Sequence, residues 1–221
     1  MELIIGNQNY SSWSLRPWLL LSHFDIPFDE VKVHLFEENT HQRLAEYSPT
    51  FKVPVLIDNN KEQGDLTVWD SLAICEYIND SYLSDKGLPE SPTDRATCRS
   101  YCAEMHSGFQ ALRNALPMNC RATRKVHIDE DTTKDILRID GMWQDALNRH
   151  DGDWLFGEFS IADCMFAPIA SRFATYQIEV SDTSQGYIDR LLTLPSMRRW
   201  YEAALEEKEV IGEDEAGTDI D

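Results

Sequence analysis

Tyr10-Ser11-Ser12-Trp13-Ser14-Leu15-Arg16-Pro17 follows the short apolar run Leu3-Ile4-Ile5, closed by Gly6 and Asn7, and leads into the apolar stretch Leu15 to Phe24. An apolar run ended by turn residues predicts a strand. The stretch after it predicts a buried helix whose first turn accommodates Pro17, since no N–H partner is lost there. Working outward, Val31, Val33 and Leu35 alternate with Lys32 and His34 as a half-buried strand does, and Asn39 to Tyr47 reads as a polar helix stopped by Ser48-Pro49. Val53 to Ile57 and Leu66 to Trp69 predict two more strands, joined as a hairpin by the polar turn Asp58 to Asp65. Leu72 to Tyr82 predicts an apolar helix. The order β-α-β-α-β-β-α is that of an α/β layer, begun by a parallel crossover and closed by a hairpin, over residues 1–82.

The composition then shifts. Residues 83–92 contain Ser84-Asp85-Lys86-Gly87-Leu88-Pro89-Glu90-Ser91-Pro92, rich in breakers and polar side chains, and read as a linker. Residues 93–221 read as a helical domain with an acidic C-terminal tail. Thr93 to Leu116 predicts one long helix broken at Pro117. Thr132 to Arg149 is amphipathic, with Ile136, Ile139, Met142, Trp143 and Leu147 at helical spacing. Ser160 to Tyr176 and Ser196 to Leu205 predict two further helices.

With 221 residues, 42% hydrophobic content and six Trp, the chain has the material for a packed core in one large domain or two small ones. A formal net charge of −19 argues against binding nucleic acid or an anionic membrane, both of which need clustered Lys and Arg. Part of that charge sits in Glu206 to Asp221, which reads as a frayed, solvated tail. The start has no secretory pattern, and no apolar run approaches the ~18 residues of a membrane span. The five Cys (75, 98, 102, 120 and 164) form no Cys-x-x-Cys pair, so reduced thiols are expected. Cys98 and Cys102 lie one helical turn apart, but no His or second Cys pair completes a ligand set, and no metal site is expected.

Three pieces carry the chemistry. A hydroxyl at a strand-to-helix turn can donate to a bound thiolate. Lowering a thiol pKa by ~2 units takes roughly 3 kcal/mol. One charge-assisted hydrogen bond supplies about 1.5–3 kcal/mol, and a helix N-terminus adds roughly 0.3–1 kcal/mol. No general base is needed. Ser11, Ser12 and Ser14 equally suit a helix cap. Pro54, inside a strand pattern, belongs at an edge; with a cis Val53–Pro54 bond it would leave the Val53 N–H and C=O to pair with an extended peptide. Asp70-Ser71 opens a helix whose free N–H groups suit a carboxylate, with Asp70 placed for an ammonium, although the pair also suits a cap. Lys52 either reaches a second carboxylate or is a surface lysine. Arg121, Arg124 and Lys125 form the one compact basic cluster in the sequence, suited to attracting an anion or to a solvated loop.

In this order the motifs resemble the cytosolic glutathione S-transferase family, in its serine-type, zeta- and theta-like bacterial branch. Tyr10 to Arg16 resembles the family's serine motif, Lys52-Val53-Pro54-Val55-Leu56 its cis-proline segment, and Asp70-Ser71-Leu72-Ala73-Ile74 its acidic-Ser segment. Ser160-Ile161-Ala162-Asp163 resembles its buried capping box. The resemblance implies an α/β plus all-α fold: a thioredoxin-like domain, then a helical domain. It implies glutathione as co-substrate, a small electrophile as second substrate, a homodimer and a cytoplasmic location. The family's catalytic serine lies five residues before the motif arginine, which is Ser11 here, with Ser12 the alternative. Lys52, Val53, Pro54, Asp70 and Ser71 would hold glutathione. Trp13, His106, Phe109 and Arg113 would line the acceptor site, with His106 a pocket residue and not a base.

Two departures bear on activity. Zeta-class isomerases carry a cysteine where this chain has Trp13, and no cysteine replaces Ser11 or Ser12, which argues against the reductase chemistry of cysteine-type relatives. The resemblance therefore implies a transferase. The alternatives are a glutathione-dependent isomerase of the maleylacetoacetate type and a non-catalytic ligand-binding relative.

Overall fold

A computed structural model of the chain describes residues 1–59 and 64–220. Strand β1 (Glu2–Ile5) leads into helix α1 (Ser12–His23), which crosses to strand β2 (Asp29–Lys32). Helix α2 (Thr40–Ala45), strands β3 (Val55–Asp58) and β4 (Leu66–Trp69), and helix α3 (Ser71–Ile78) complete the layer. The sheet order is β2-β1-β3-β4, with β1 and β2 parallel and the other neighbours antiparallel; Leu3 stands between Glu30 and Leu56. The turn expected from Asp58 to Asp65 includes residues 60–63, which lie outside the described residues.

The second strand lies earlier than the alternation of Val31, Val33 and Leu35 predicts. Val33 still donates its N–H to Ile5 O at 2.9 Å, but the Leu35 N–H goes to Asn7 Oδ1 at 2.8 Å, a side chain, and the ladder ends. Helix α3 also stops short of Tyr82. After Ile78 the chain widens into a π-helical turn, Asn79–Leu83, and Asn79 Oδ1 accepts the Gly87 N–H at 2.9 Å.

The second half holds helices α4 (Pro92–Ser107), α5 (Gln110–Ala115), α6 (Glu130–Arg149), α7 (Ile161–Thr175), α8 (Asp182–Thr193) and α9 (Pro195–Glu206). Three sequence expectations are corrected here. The long helix expected from Thr93 to Leu116 breaks at Gly108-Phe109, well before Pro117. Gly108 is extended and Phe109 turns left-handed at φ 59, so the helix cannot continue. Helix α8 went unread, although Ser181 caps it and Tyr187, Ile188 and Leu191 make a buried helical stripe. The half is not wholly helical, since β5 (Arg124–Lys125) pairs antiparallel with β6 (Thr218–Asp219).

That pairing overturns the reading of a solvated tail. Glu207 and Ile211 are buried, the Ile220 N–H reaches Thr123 O at 3.1 Å, and Arg124 ion-pairs with Glu215 at 2.5 Å. Composition showed the acids of the tail, but not that Lys32, His34 and Arg124 would pair with them while Arg121 holds the tail's backbone carbonyls. Arg121 and Arg124 are therefore neither an open anion patch nor a solvated loop.

The core explains why the two halves are one body. Helix α7 is buried from Ile161 to Phe173 and packs on α1, α4 and α8. Trp18 of α1 stands edge-on to Trp200 of α9 with ring centroids 5.1 Å apart, while Trp143 of α6 meets Phe166, Phe173 and Tyr187. A smaller core of Ile4, Val33, Leu44 and Val55 seals the other face of the sheet under α2. All five cysteines are free and buried, as packing residues.

Candidate active site

The chain leaves β1 through a turn in which the Ser11 N–H donates to Asn7 O at 2.8 Å. Ser11 is the N-cap of α1. Its Oγ accepts from Ser14 N at 3.4 Å and donates to Ser14 Oγ at 2.7 Å, and Ser14 Oγ also accepts from Gly6 N at 3.1 Å. Ser12, the first helical residue, accepts from Arg172 Nη2 at 3.2 Å. Both serines are nearly buried, and both line a cleft of about 680 Å³ between the two halves. That is within the ~300–1,000 Å³ typical of small-molecule sites.

A second cleft of about 580 Å³ adjoins the first, and Trp13, Lys52 and Val53 line both. It holds Pro54, Asp70, Ser71 and His106, and the Val53–Pro54 peptide is cis. Asp70 takes φ 77, and its Oδ1 caps α3 by accepting from Leu72 N at 2.9 Å and Ala73 N at 3.2 Å. Its Oδ2 is 3.1 Å from His106 Nε2. Ser71 Oγ accepts from Arg16 Nη1 at 3.2 Å. The motif arginine thus ties the start of α1 to the start of α3.

Two guanidinium groups, Arg113 and Arg172, line the first cleft, and a third, Arg16, is buried beside it against Trp13. Arg16 lies 4.2 Å and Arg113 4.8 Å from the Trp13 ring centroid, both in cation–π contact. Arg172 rises from α7; its Nη1 donates to Arg113 O at 3.2 Å and also to Leu116 O. The Nε atoms of all three lack a hydrogen-bond partner among the described residues. Burial, then mutual repulsion with Arg113, pushes Arg16 down to about 9 and Arg172 down to about 10; Arg113 is lowered by burial. All three stay cationic at neutral pH, so the cleft wall is positive in an acidic chain. The His106 imidazole, edge-on to Trp13 at 5.3 Å, is lowered by burial and by Arg16 and Arg113 against the pull of Asp70.

Two family models match the chain: the glutathione S-transferase N-terminal domain over residues 10–81 and the C-terminal domain over residues 103–203. The chain belongs to the glutathione S-transferase family. Among curated relatives, a probable maleylacetoacetate isomerase of Vibrio cholerae is 25% identical over 206 residues, covering 89% of this chain and 94% of that one. One of Caenorhabditis elegans is 25% identical over 173 residues, 77% of each chain. Among solved structures, a glutathione transferase homolog from Burkholderia with bound glutathione superposes with a TM-score of 0.71 at 21% identity, covering 93% of this chain and 98% of that one. A zeta-class maleyl pyruvate isomerase gives 0.71 at 20% identity, covering 95% and 100%. At those identities the solved structures share the fold.

Within this transferase-family fold the sequence-derived residues do not all converge. Ser11, Ser12, Trp13, Lys52, Val53 and Arg113 line the first cleft, and Trp13, Lys52, Val53, Pro54, Asp70, Ser71 and His106 the second. Phe109 lines neither. It is 7% exposed and packs into the main core, because its left-handed backbone turns the side chain inward at the α4–α5 break. Sequence reading missed Arg172, Tyr10 and Asp214, which also line the first cleft. Arg172 had a signal: it is the one charged residue between Cys164 and Tyr176, inside an otherwise apolar helix, where a charge needs a reason.

Proposed function

We propose that the chain is a glutathione transferase that holds glutathione across the two adjoining clefts and activates its thiol for attack on a small electrophile. The observation that carries this reading is the arrangement at the α1 N-terminus: Ser12 faces the cleft with its oxygen already accepting from Arg172, leaving its proton to donate. The Asp70-Ser71 start of α3 suits the γ-glutamyl end, Val53 the cysteinyl backbone and Lys52 a carboxylate. The thiol proton leaves to solvent, the thiolate sulfur bonds to the electrophilic carbon, and the leaving group departs with its electron pair. Ser12 and the positive cleft wall lower the thiol pKa by stabilising the thiolate.

The test is ultraviolet titration of the thiolate of bound glutathione, with turnover of a chlorodinitrobenzene. A bound thiol that titrates as it does in free solution would overturn the reading.

A second reading is glutathione-dependent cis–trans isomerisation of a diacid. Arg113 and Arg172 in the first cleft favour it, because both suit carboxylates, and the maleylacetoacetate isomerase relatives point the same way. A cis diacid isomerised in the presence of glutathione, without conjugate accumulating, would select it. We extend the proposal to a cytoplasmic homodimer. Five free buried thiols suit a reducing compartment. Leu66 and Trp69, 40% and 47% exposed on edge strand β4, suit a covered face, and a monomeric mass by light scattering would exclude the dimer.

A further inference from the structure

The turn that delivers the two serines is held from outside its own domain. Gln8 and Asn9 are buried, and their successive N–H groups point the same way. Two such donors make a small anion receptor, and here the chain fills it itself. Glu207 is the first residue after α9 and its side chain is 5% exposed. Its Oε1 accepts from Gln8 N at 2.7 Å and from Lys32 Nζ at 3.0 Å, and its Oε2 accepts from Asn9 N at 3.0 Å. The carbonyl of Glu207 accepts from Arg121 Nη1, whose neighbouring Nη2 reaches Glu209 O at 2.8 Å and Tyr10 Oη at 2.9 Å. The rest of the turn is fixed from the same side. Asn9 Oδ1 accepts from Arg121 N at 2.9 Å, Asn9 Nδ2 donates to Asn119 Oδ1 at 2.9 Å, and Asn9 O accepts from Cys120 N at 3.2 Å.

A buried carboxylate is costly unless its lone pairs are filled, and three charge-assisted bonds fill them here. An apolar residue at this position would leave the buried Gln8 and Asn9 N–H groups unpaired, so the side chain here has to be an acceptor. What a carboxylate adds is direction. It sets both N–H vectors of a turn whose next residues are Tyr10, Ser11 and Ser12.

We propose that Glu207 is a positioning residue for catalysis: its carboxylate fixes the Gln8–Asn9 turn, and through it sets where the Ser11 and Ser12 hydroxyls stand relative to the thiol. This rests on the transferase reading above. It makes the helical half a contributor to thiol activation in the other half, through a residue that touches neither substrate.

Glu207→Gln keeps the volume and one acceptor oxygen but sets an NH₂ against one of the two N–H donors. The expected result is that the midpoint for ionisation of bound glutathione moves up by about one unit, and the rate below that midpoint falls about tenfold. KM for glutathione stays within about threefold, because Lys52, Val53 and Ser71 stand on other elements. A lowered melting temperature with the thiol midpoint unmoved would mean a merely structural role and would overturn the proposal. Should Glu207→Gln not fold, Glu207→Asp keeps the charge and withdraws the reach by one carbon. The midpoint is then expected to move the same way, and an unmoved midpoint overturns the proposal again. Absence of any thiolate shift in the unmodified protein would overturn the transferase reading together with this one; a shift present there and unchanged in the variants overturns this one alone.

Discussion

A hydroxyl that stabilises a bound thiolate must donate its hydrogen bond to it, and Ser11 already donates its own to Ser14 Oγ at 2.7 Å. Ser12 is differently placed, since its oxygen accepts from Arg172 and its proton is left for the cleft. The geometry therefore favours Ser12 over Ser11, which the family motif puts first. Ser12→Ala is expected to raise the midpoint of bound glutathione by about 1–2 units, the worth of one charge-assisted hydrogen bond. Ser11→Ala is expected to move it less and to lower stability by about 1 kcal/mol through loss of the α1 cap. Ultraviolet titration and thermal melts of both variants check this, and the reverse ranking would return the thiol to Ser11. The serines, Lys52, Pro54 and Asp70-Ser71 were legible in the sequence because each sits at an element boundary, where cap and turn chemistry restrict the residue types. Arg172 stood out only as a charge inside an apolar helix; that it meets Ser12 was not legible, because it reaches the turn from α7 and nothing local in the sequence sets which buried helix face does so.

Helix α7 begins at Ser160 with a capping box whose acid is wholly buried. Asp163 Oδ2 accepts from Ser160 N at 2.8 Å and Ser160 Oγ at 3.0 Å, while Oδ1 accepts from Leu155 N at 3.2 Å and Tyr187 Oη at 3.0 Å. The box thus fastens the loop before α7 and helix α8 as well as its own helix. Burial raises the Asp163 carboxyl to about 6 against the pull of these donors. A raised folded-state pKa means that the folded protein holds this proton more tightly than the unfolded chain. The stability this contributes, on the order of 3 kcal/mol, is fully present below about pH 4 and is lost as pH rises through about 6. Asp163→Asn cannot titrate, so the stability gap between wild type and variant is expected to narrow from pH 4 to pH 7 in urea melts; a constant gap would exclude the linkage. Asp163→Ala, which orphans four donors, should cost about 3 kcal/mol or more at any pH in that range. This box was legible because Ser160 and Asp163 are three residues apart. The break at Phe109 was not, since Gly108 inside a helical pattern reads as tolerated until the backbone shows an extended residue followed by a left-handed one.

The molecule combines a net charge of −19 with a cleft walled by Arg113 and Arg172, and its acidic tail runs past that cleft. Glu215 Oε1 accepts from Tyr10 Oη at 2.5 Å and Asn119 Nδ2 at 3.0 Å, and β6 pins the end of the tail to β5. Asp214 lines the cleft, where burial raises its carboxyl and Arg172 opposes the rise. The tail thus sets a partly buried acid near the guanidinium groups that would meet an anionic acceptor. Removing residues 209–221 deletes six acidic side chains and no basic one, but leaves Glu207 on the Gln8–Asn9 turn. The loss of buried Ile211 and the Arg124–Glu215 pair should cost about 2 kcal/mol, lowering Tm by roughly 4–8 °C. The truncated protein should also turn over a carboxylate-bearing chlorodinitrobenzene several-fold better, relative to its neutral counterpart, than the full chain does. The ratio of the two kcat/KM values is the reading to take, because any general loosening of the cleft acts on both acceptors and cancels. That preference should shrink as ionic strength rises, since an exposed cleft mouth is screened over a Debye length of about 8 Å at physiological salt. A ratio unchanged by truncation would show that Arg113 and Arg172 act on the acceptor independently of the tail, leaving the strap to hold the turn and β5 in place.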